Sequence, residues 1–198
     1  MKHLARKHAI KRMTNETKIE LSFSVDGSGQ SSINTGIAFF DHMLDLFTRH
    51  GLFDLQLVVN GDLDVDFHHS VEDVGICLGQ ALHKSLGDCV GIARFADVTV
   101  PMDDSLCRCV IDISNRPFLK FNAAYSQAKV GQFDTELVQE FFQAFVNNAR
   151  INLHLDMDSG INTHHQIEAC FKAFGVCLDK ATMIDSRKTG IPSTKGVL

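Results

Sequence analysis

The chain has 198 residues, 44% hydrophobic and 22% charged, with a formal net charge of −5. That is ordinary globular composition, and the length suits one large domain or two small fused halves of about 100 residues, enough to bury a real core. The acidic balance gives no general case for nucleic-acid binding, and no apolar run is long enough for a membrane span.

The first stretch, 2–12, is basic and short, and a frayed arm or an edge strand is expected there. It lacks the apolar core of a signal peptide. Ile19, Leu21, Phe23 and Val25 then alternate as a strand before Asp26-Gly27. Met43, Leu44, Leu46 and Phe47 form the apolar stripe of a short helix, with Asp41 placed to cap it and Gly51 to end it. Leu55, Leu57 and Val59, a turn at Asn60-Gly61, then Leu63 and Val65 read as a hairpin. A longer helix is expected over 71–86, with Gly75 and Gly79 four apart on a face that another backbone can approach closely. Strands follow at 98–100, 107–113 and 118–121. A second short helix carries Leu137, Val138, Phe141, Phe142 and Phe145, capped by Thr135 or Asp134. A second hairpin runs through Ile151, Leu153, Leu155 and Met157 to a turn at Asp158-Ser159-Gly160, and a final helix is expected over 167–184.

This order repeats. His68-His69-Ser70-Val71-Glu72 returns 96 residues later as His164-His165-Gln166-Ile167-Glu168, and Leu55 falls on Leu153 at an offset of 98. The chain therefore reads as two halves, 1–89 and 90–198, each β-β-α-β-β-α. The fold class expected is α+β, with two four-stranded sheets and helices packed between them. Of the six cysteines, none forms a Cys-x-x-Cys pair, so free thiols in a reducing cytoplasm are the expectation.

In each His-His-x-x-Glu, spacings of three and four bring a histidine and the glutamate onto one helical face. Adjacent histidines differ by about 100° around a helix, so they do not easily serve one ion. A single such motif is as well explained by surface histidines near a helix start, where a glutamate also favours the dipole. Its return at matching places, with the flanking residues diverged, points to metal binding. The 98-residue offset adds His42 and its partner Glu140. Eight candidate ligands result: His42, His68, His69, Glu72, Glu140, His164, His165 and Glu168. Shared over two ions, they leave octahedral positions open for substrate, which is a catalytic arrangement. His154 is a rival ligand, but the repeat pairs it with Gln56. His50 and His83 are expected near helix C-termini, and His3 and His8 in the basic arm are assigned nothing. Arg94, Arg116, Lys172 and the tail Pro192-Ser193-Thr194-Lys195-Gly196 offer cations, hydroxyls and N–H groups to an oxyanion.

Phe40-Asp41-His42-Met43-Leu44-Asp45, the two His-His motifs, Ser114-Asn115-Arg116-Pro117, Phe171-Lys172-Ala173-Phe174 and Pro192-Ser193-Thr194-Lys195-Gly196-Val197-Leu198, with Thr14-Asn15-Glu16-Thr17, Gly61-Asp62-Leu63 and Leu78-Gly79-Gln80-Ala81, are similar to the imidazoleglycerol-phosphate dehydratases over nearly the whole chain, in order. The resemblance implies a duplicated fold like domain 2 of ribosomal protein S5. It implies a hydro-lyase of histidine biosynthesis that converts D-erythro-imidazoleglycerol phosphate to imidazole acetol phosphate. It further implies two Mn²⁺ ions per site, and a 24-subunit cytoplasmic shell with sites between subunits. Its metal ligands match seven of the eight candidates. At Glu140 many members carry His, and Phe67 replaces a common acidic residue.

Substrate contacts implied by the resemblance fall on Glu16, Arg94, Arg116, Lys172, Ser193 and Lys195, with Arg49 and His50 close by and the ligand positions His42, His68 and His164 bordering the substrate. Glu16, Glu72 and Glu168 are candidate proton shuttles. Glu16 is favoured, because a ligated carboxylate is a weaker base. A dinuclear metallohydrolase acting on a phosphorylated small molecule, and a metal-stapled structural particle, are the competing readings.

Overall fold

The computed structural model describes residues 6–198. Its elements in order are β1 (Lys7–Met13), β2 (Thr17–Ser24), β3 (Ser31–Asn34), α1 (Ala38–His50), β4 (Asp54–Gly61), α2 (His68–Leu86), β5 (Phe95–Met102), β6 (Ser105–Asp112), β7 (Phe118–Asn122), the short pair β8 (Lys129–Val130) and β9 (Phe133–Asp134), α3 (Leu137–Ala149), β10 (Asn152–Ser159) and α4 (Thr163–Thr182).

Two four-stranded sheets form, ordered β1-β2-β4-β3 and β5-β6-β10-β7. In each the first three pair antiparallel and the fourth runs parallel to its neighbour. Their registers match: Ile19 opposite Val59 in the first becomes Cys107 opposite Met157 in the second. The α+β class, the two sheets and the two helices per half are therefore as the sequence predicts.

The order within each half differs from β-β-α-β-β-α: it is β-β-β-α-β-α. Neither predicted hairpin forms. After β4 the chain enters a tight turn closed by Val65 N–H donating to Asp62 C=O at 2.8 Å, with Val65 exposed and Leu63 tucked against the core. The edge of β4 is instead covered by β3, which comes from earlier in the chain. Its sequence, Ser31-Ser32-Ile33-Asn34, holds one apolar residue and gives no alternation signal. The predicted caps also shift. Asp41 lies in the first turn of α1 and accepts from the Thr35 N–H and hydroxyl, while Ile37 is the cap residue. Glu136 caps α3, and the Thr135 hydroxyl donates to Gln127 and Ala128 carbonyls.

Ile19, Leu21 and Phe23 turn inward while Lys18 and Glu20 face water, as a half-buried strand requires. Between the sheets, α2 packs on α3 and α1 on α4, around stacked and edge-on rings of Phe47, Phe141, Phe142, Phe145, Phe171 and Phe174. The crossings depend on glycine. A Cβ on Gly79 would lie 2.5 Å from the Phe145 carbonyl oxygen, and one on Gly175 would lie 2.6 Å from that of Phe47. Gly175 is Gly79 moved by 96, and Phe145 is Phe47 moved by 98. The repeat thus governs how the helices touch, as well as which helices form. The basic stretch ends as edge strand β1, and His3 lies outside the described residues. All six cysteines are free, five of them buried.

Candidate metal centre and anion pocket

The α1–α4 crossing brings three candidate ligands together. His42 Nε2 lies 3.0 Å and His164 Nε2 2.9 Å from Glu168 Oε1, and the ligand atoms of the trio lie within 4.8 Å of one another. His164 and Glu168 are one helical turn apart, as their spacing predicts. Lys172 Nζ donates to the other oxygen, Glu168 Oε2, at 2.8 Å. Burial pushes Glu168 up, but hydrogen bonds from Lys172, His42 and His164 outweigh it and bring it down to about 2. The carboxylate is buried at 8% exposure, while the two imidazoles are open at 46% and 42%. An anchored anion beneath two accessible imidazoles suits a first-row divalent cation, which these three side chains would hold through Glu168 Oε1 and the two Nε2 atoms.

The second histidine of each pair faces elsewhere. The His164 and His165 rings lie 6.1 Å apart at 78°, and those of His68 and His69 lie 6.4 Å apart at 86°. His165 Nδ1 hydrogen-bonds Asp104 Oδ1 at 2.6 Å, and His69 Nδ1 hydrogen-bonds Asp62 Oδ2 at 2.9 Å. These bonds raise both histidines above their ordinary range. The Nε2 atoms face Asp103 at 3.7 Å and Glu16 at 3.8 Å. The matching trio of the first half, His68, Glu72 and Glu140, stands half-buried on α2 and α3. Among the described residues only the His42 trio closes to ligand distance. This set holds two carboxylates and one imidazole, where the His42 trio holds two imidazoles and one carboxylate.

Sequence reasoning missed Asp62, Asp103 and Asp104. Asp104 meets His165 across 61 residues, so no local spacing announces it. Asp73 was also passed over: it is buried, takes a hydrogen bond from Arg12 and one from Thr17, and ties α2 to the β1–β2 turn that carries Glu16.

The oxyanion group gathers in part. Arg94, Arg116, Ser193 and Lys195 line one cavity of about 360 Å³. Arg94 also holds the tail in place, donating to Asp112 at 2.8 Å and to the Pro192 carbonyl at 2.8 Å. Lys172 is not in this cavity but at Glu168. Arg49 and His50 end α1, where burial and Lys172 lower His50. His154 sits on β10 beside Phe118, and His83 lines a separate cavity at the end of α2. Arg94 precedes β5 and Arg116 follows β6, whereas Asp103 and Asp104 form the turn at the hairpin's other end. Eight-residue strands span roughly 26 Å, so one chain holds its anion pocket far from its own outward-facing His165.

A second cavity, about 500 Å³, opens beside His42 and is walled by Phe39, Phe67 and Phe133.

The family model for imidazoleglycerol-phosphate dehydratase matches residues 35–178, a span that includes all eight candidate ligands. The chain belongs to the imidazoleglycerol-phosphate dehydratase family. It is 54% identical over 195 residues to the imidazoleglycerol-phosphate dehydratase of Geobacter sulfurreducens, covering 98% of this chain and 100% of that one. It is 58% identical over 187 residues to the Bacillus subtilis enzyme, covering 94% and 96%. The crystal structure of the Staphylococcus aureus dehydratase superposes with a TM-score of 0.83 at 45% identity, covering 90% of this chain and 99% of the other. The Pyrococcus furiosus structure gives 0.82 at 34%, covering 96% and 100%. The dehydratase family is one of hydro-lyases of histidine biosynthesis, and that is this chain's class of activity. Among the described residues no helix is long and apolar enough to cross a membrane.

Proposed function

We propose that the chain dehydrates D-erythro-imidazoleglycerol phosphate to imidazole acetol phosphate at a site of two Mn²⁺ ions shared between copies of the chain, acting in the cytoplasm. The observation that carries this reading is the convergence of His42, His164 and Glu168, from two helices, on one ligand-sized space. His42, His68, His69, Glu72, Glu140, His164, His165 and Glu168 would hold the metals. Bound metal would supply Lewis-acid polarisation of the substrate's imidazole.

The reaction removes the hydroxyl beside the imidazole and a proton from the neighbouring carbon, and the resulting enol becomes the ketone. Glu168 is engaged by two imidazoles and Lys172, so it holds ligands better than it moves protons. Glu16 is exposed in the β1–β2 turn, with its carboxylate 3.8 Å from His69. It is the group best placed to take the carbon-bound proton. Phe39, Phe67 and Phe133 give the His42 side an apolar wall. Arg94, Arg116, Ser193 and Lys195 would bind the phosphate.

Length supports a shared site. Three carbons and an ester oxygen separate the substrate's ring from its phosphorus, far less than the roughly 26 Å of the β5–β6 hairpin. That separation supports a reading in which one chain's anion pocket serves metal ligands of a neighbour, within a closed 24-subunit shell of 21.9 kDa chains.

The test is to incubate the metal-free protein with Mn²⁺ and imidazoleglycerol phosphate. Keto product that requires both protein and metal supports the reading. Release of inorganic phosphate without keto product would instead make the chain a metallohydrolase. Light-scattering mass before and after chelation tests the assembly.

A further inference from the structure

We infer that Asp62 and Asp104 are positioning residues that fix the tautomer of His69 and His165, holding the Nε2 of each ring unprotonated and aimed outward for a metal ion. The inference rests on the metal reading above.

An ionised carboxylate only accepts hydrogen bonds, so the imidazole nitrogen facing it must carry the proton. His165 Nδ1 faces Asp104 at 2.6 Å and His69 Nδ1 faces Asp62 at 2.9 Å, which leaves the lone pair on Nε2 in the neutral form of each ring. Asp104 is itself held. Its Oδ2 accepts from the Ile161 N–H at 2.6 Å and the Asn162 N–H at 3.0 Å, in the loop that leads into α4. The backbone that starts the helix therefore sets the carboxylate, and the carboxylate sets the ring on the helix's first turn. Asn162 Oδ1 also accepts from the His164 and His165 N–H groups, which fixes that turn from below.

Duplication does not account for the pair. Asp104 stands in the β5–β6 turn just before Ser105, as Glu16 stands just before Thr17 88 residues earlier, whereas Asp62 follows the last residue of β4, the counterpart of β10. Neither aspartate is the copy of the other. One comes from the turn between the first two strands of its half, the other from the loop before the helix. Both reach the same atom of the same residue in the motif. A contact that inheritance would have copied in place is here rebuilt from two directions, which is what a shared need for oriented imidazoles produces. One consequence is a division of labour: because Asp62 orients His69, Glu16 is left free to face the substrate.

Asp104→Asn gives a sharp test. The amide oxygen stays with the two backbone N–H donors, and its NH₂ turns to His165. The ring must then accept at Nδ1 and carry its proton on Nε2, where a metal would bind. In metal-free protein above the imidazole titration range, ¹⁵N–¹H correlation spectra are expected to show His165 changed from the Nδ1–H to the Nε2–H tautomer. Mn²⁺ affinity, read by electron paramagnetic resonance, is expected to fall 10–100-fold with unchanged helical circular dichroism. Wild-type tautomer, or wild-type Mn²⁺ affinity, overturns the inference. Asp62→Ala, which removes the acceptor and frees His69 to take the Nε2–H tautomer, applies the same two readouts and decides the matter should the first variant fold poorly. If the unmodified chain takes up no Mn²⁺, the shared-site reading falls, while the tautomer spectra still decide this one.

Discussion

Gly175→Ala tests whether the α1–α4 crossing builds the metal centre. By helix propensity alone the change stabilises α4 by about 1 kcal/mol. The new Cβ, however, would lie 2.6 Å from the Phe47 carbonyl oxygen and 3.2 Å from the Gly51 nitrogen. Both are backbone atoms of a packed helix, so no side-chain rotation relieves the clash. Restoring ordinary contact moves the helices apart by roughly 0.8 Å, and overpacking of this kind costs about 3 kcal/mol. The net loss is about 2 kcal/mol, which lowers Tm by roughly 4–8 °C for a chain of this size. His42 is five residues before Phe47 and Glu168 seven before Gly175, so the same displacement opens the 3.0 Å His42–Glu168 contact. Urea unfolding of metal-free protein measures the first effect, and Mn²⁺ titration, expected to weaken at least 10-fold, the second. Gly190→Ala, where a Cβ meets nothing within 4 Å, is the control and should change stability by less than about 0.5 kcal/mol. A Gly175→Ala protein as stable as the control, with undiminished metal affinity, would refute the reasoning.

Glu16→Gln is expected to lower kcat by about 10²–10⁴-fold while Mn²⁺ uptake stays intact, because only the proton carrier is lost; near-normal turnover removes Glu16 from that role. Arg116→Ala should raise KM for the phosphorylated substrate by about 10-fold or more and leave Mn²⁺ affinity unchanged, since Arg116 lines the anion pocket and touches no candidate ligand. The metal-free fold should respond to acid through Glu168. Its pKa is depressed from 4.5 to about 2, so its stabilising contribution is complete above about pH 4.5 and disappears as pH falls to about 2. The Tm advantage of wild type over Glu168→Gln should therefore shrink across that window, and a constant difference would contradict the assignment.

Part of the candidate site was legible because the candidate ligands sit in local motifs. His164 and Glu168 are one turn apart, and the spacing alone placed them on one face. The repeat carried His42 to Glu140 by alignment rather than by contact. Arg94, Arg116, Ser193 and Lys195 were legible as groups suited to an oxyanion, but only the fold gathers them around one cavity, since they lie up to 101 residues apart. Asp62 and Asp104 were illegible for the opposite reason. A lone aspartate in a turn has many uses, and only the folded distance to an imidazole selects one. The false hairpins have a similar origin: Leu63 and Val65 continue the alternation of β4, yet the polar β3 wins the sheet edge.

By itself, the sequence determined that the chain is two copies of one α+β unit, that each copy presents a His-His-x-x-Glu turn, and that Gly75 and Gly79 mark a close helix contact. These are properties of period and spacing, written in residues close along the chain. The tertiary structure alone decided which strand covers β4, which carboxylate holds each second histidine, and that the anion pocket lies a hairpin's length from His165. Those outcomes depend on competition between partners far apart in sequence, and the winner is set by packing and geometry once the chain has closed on itself.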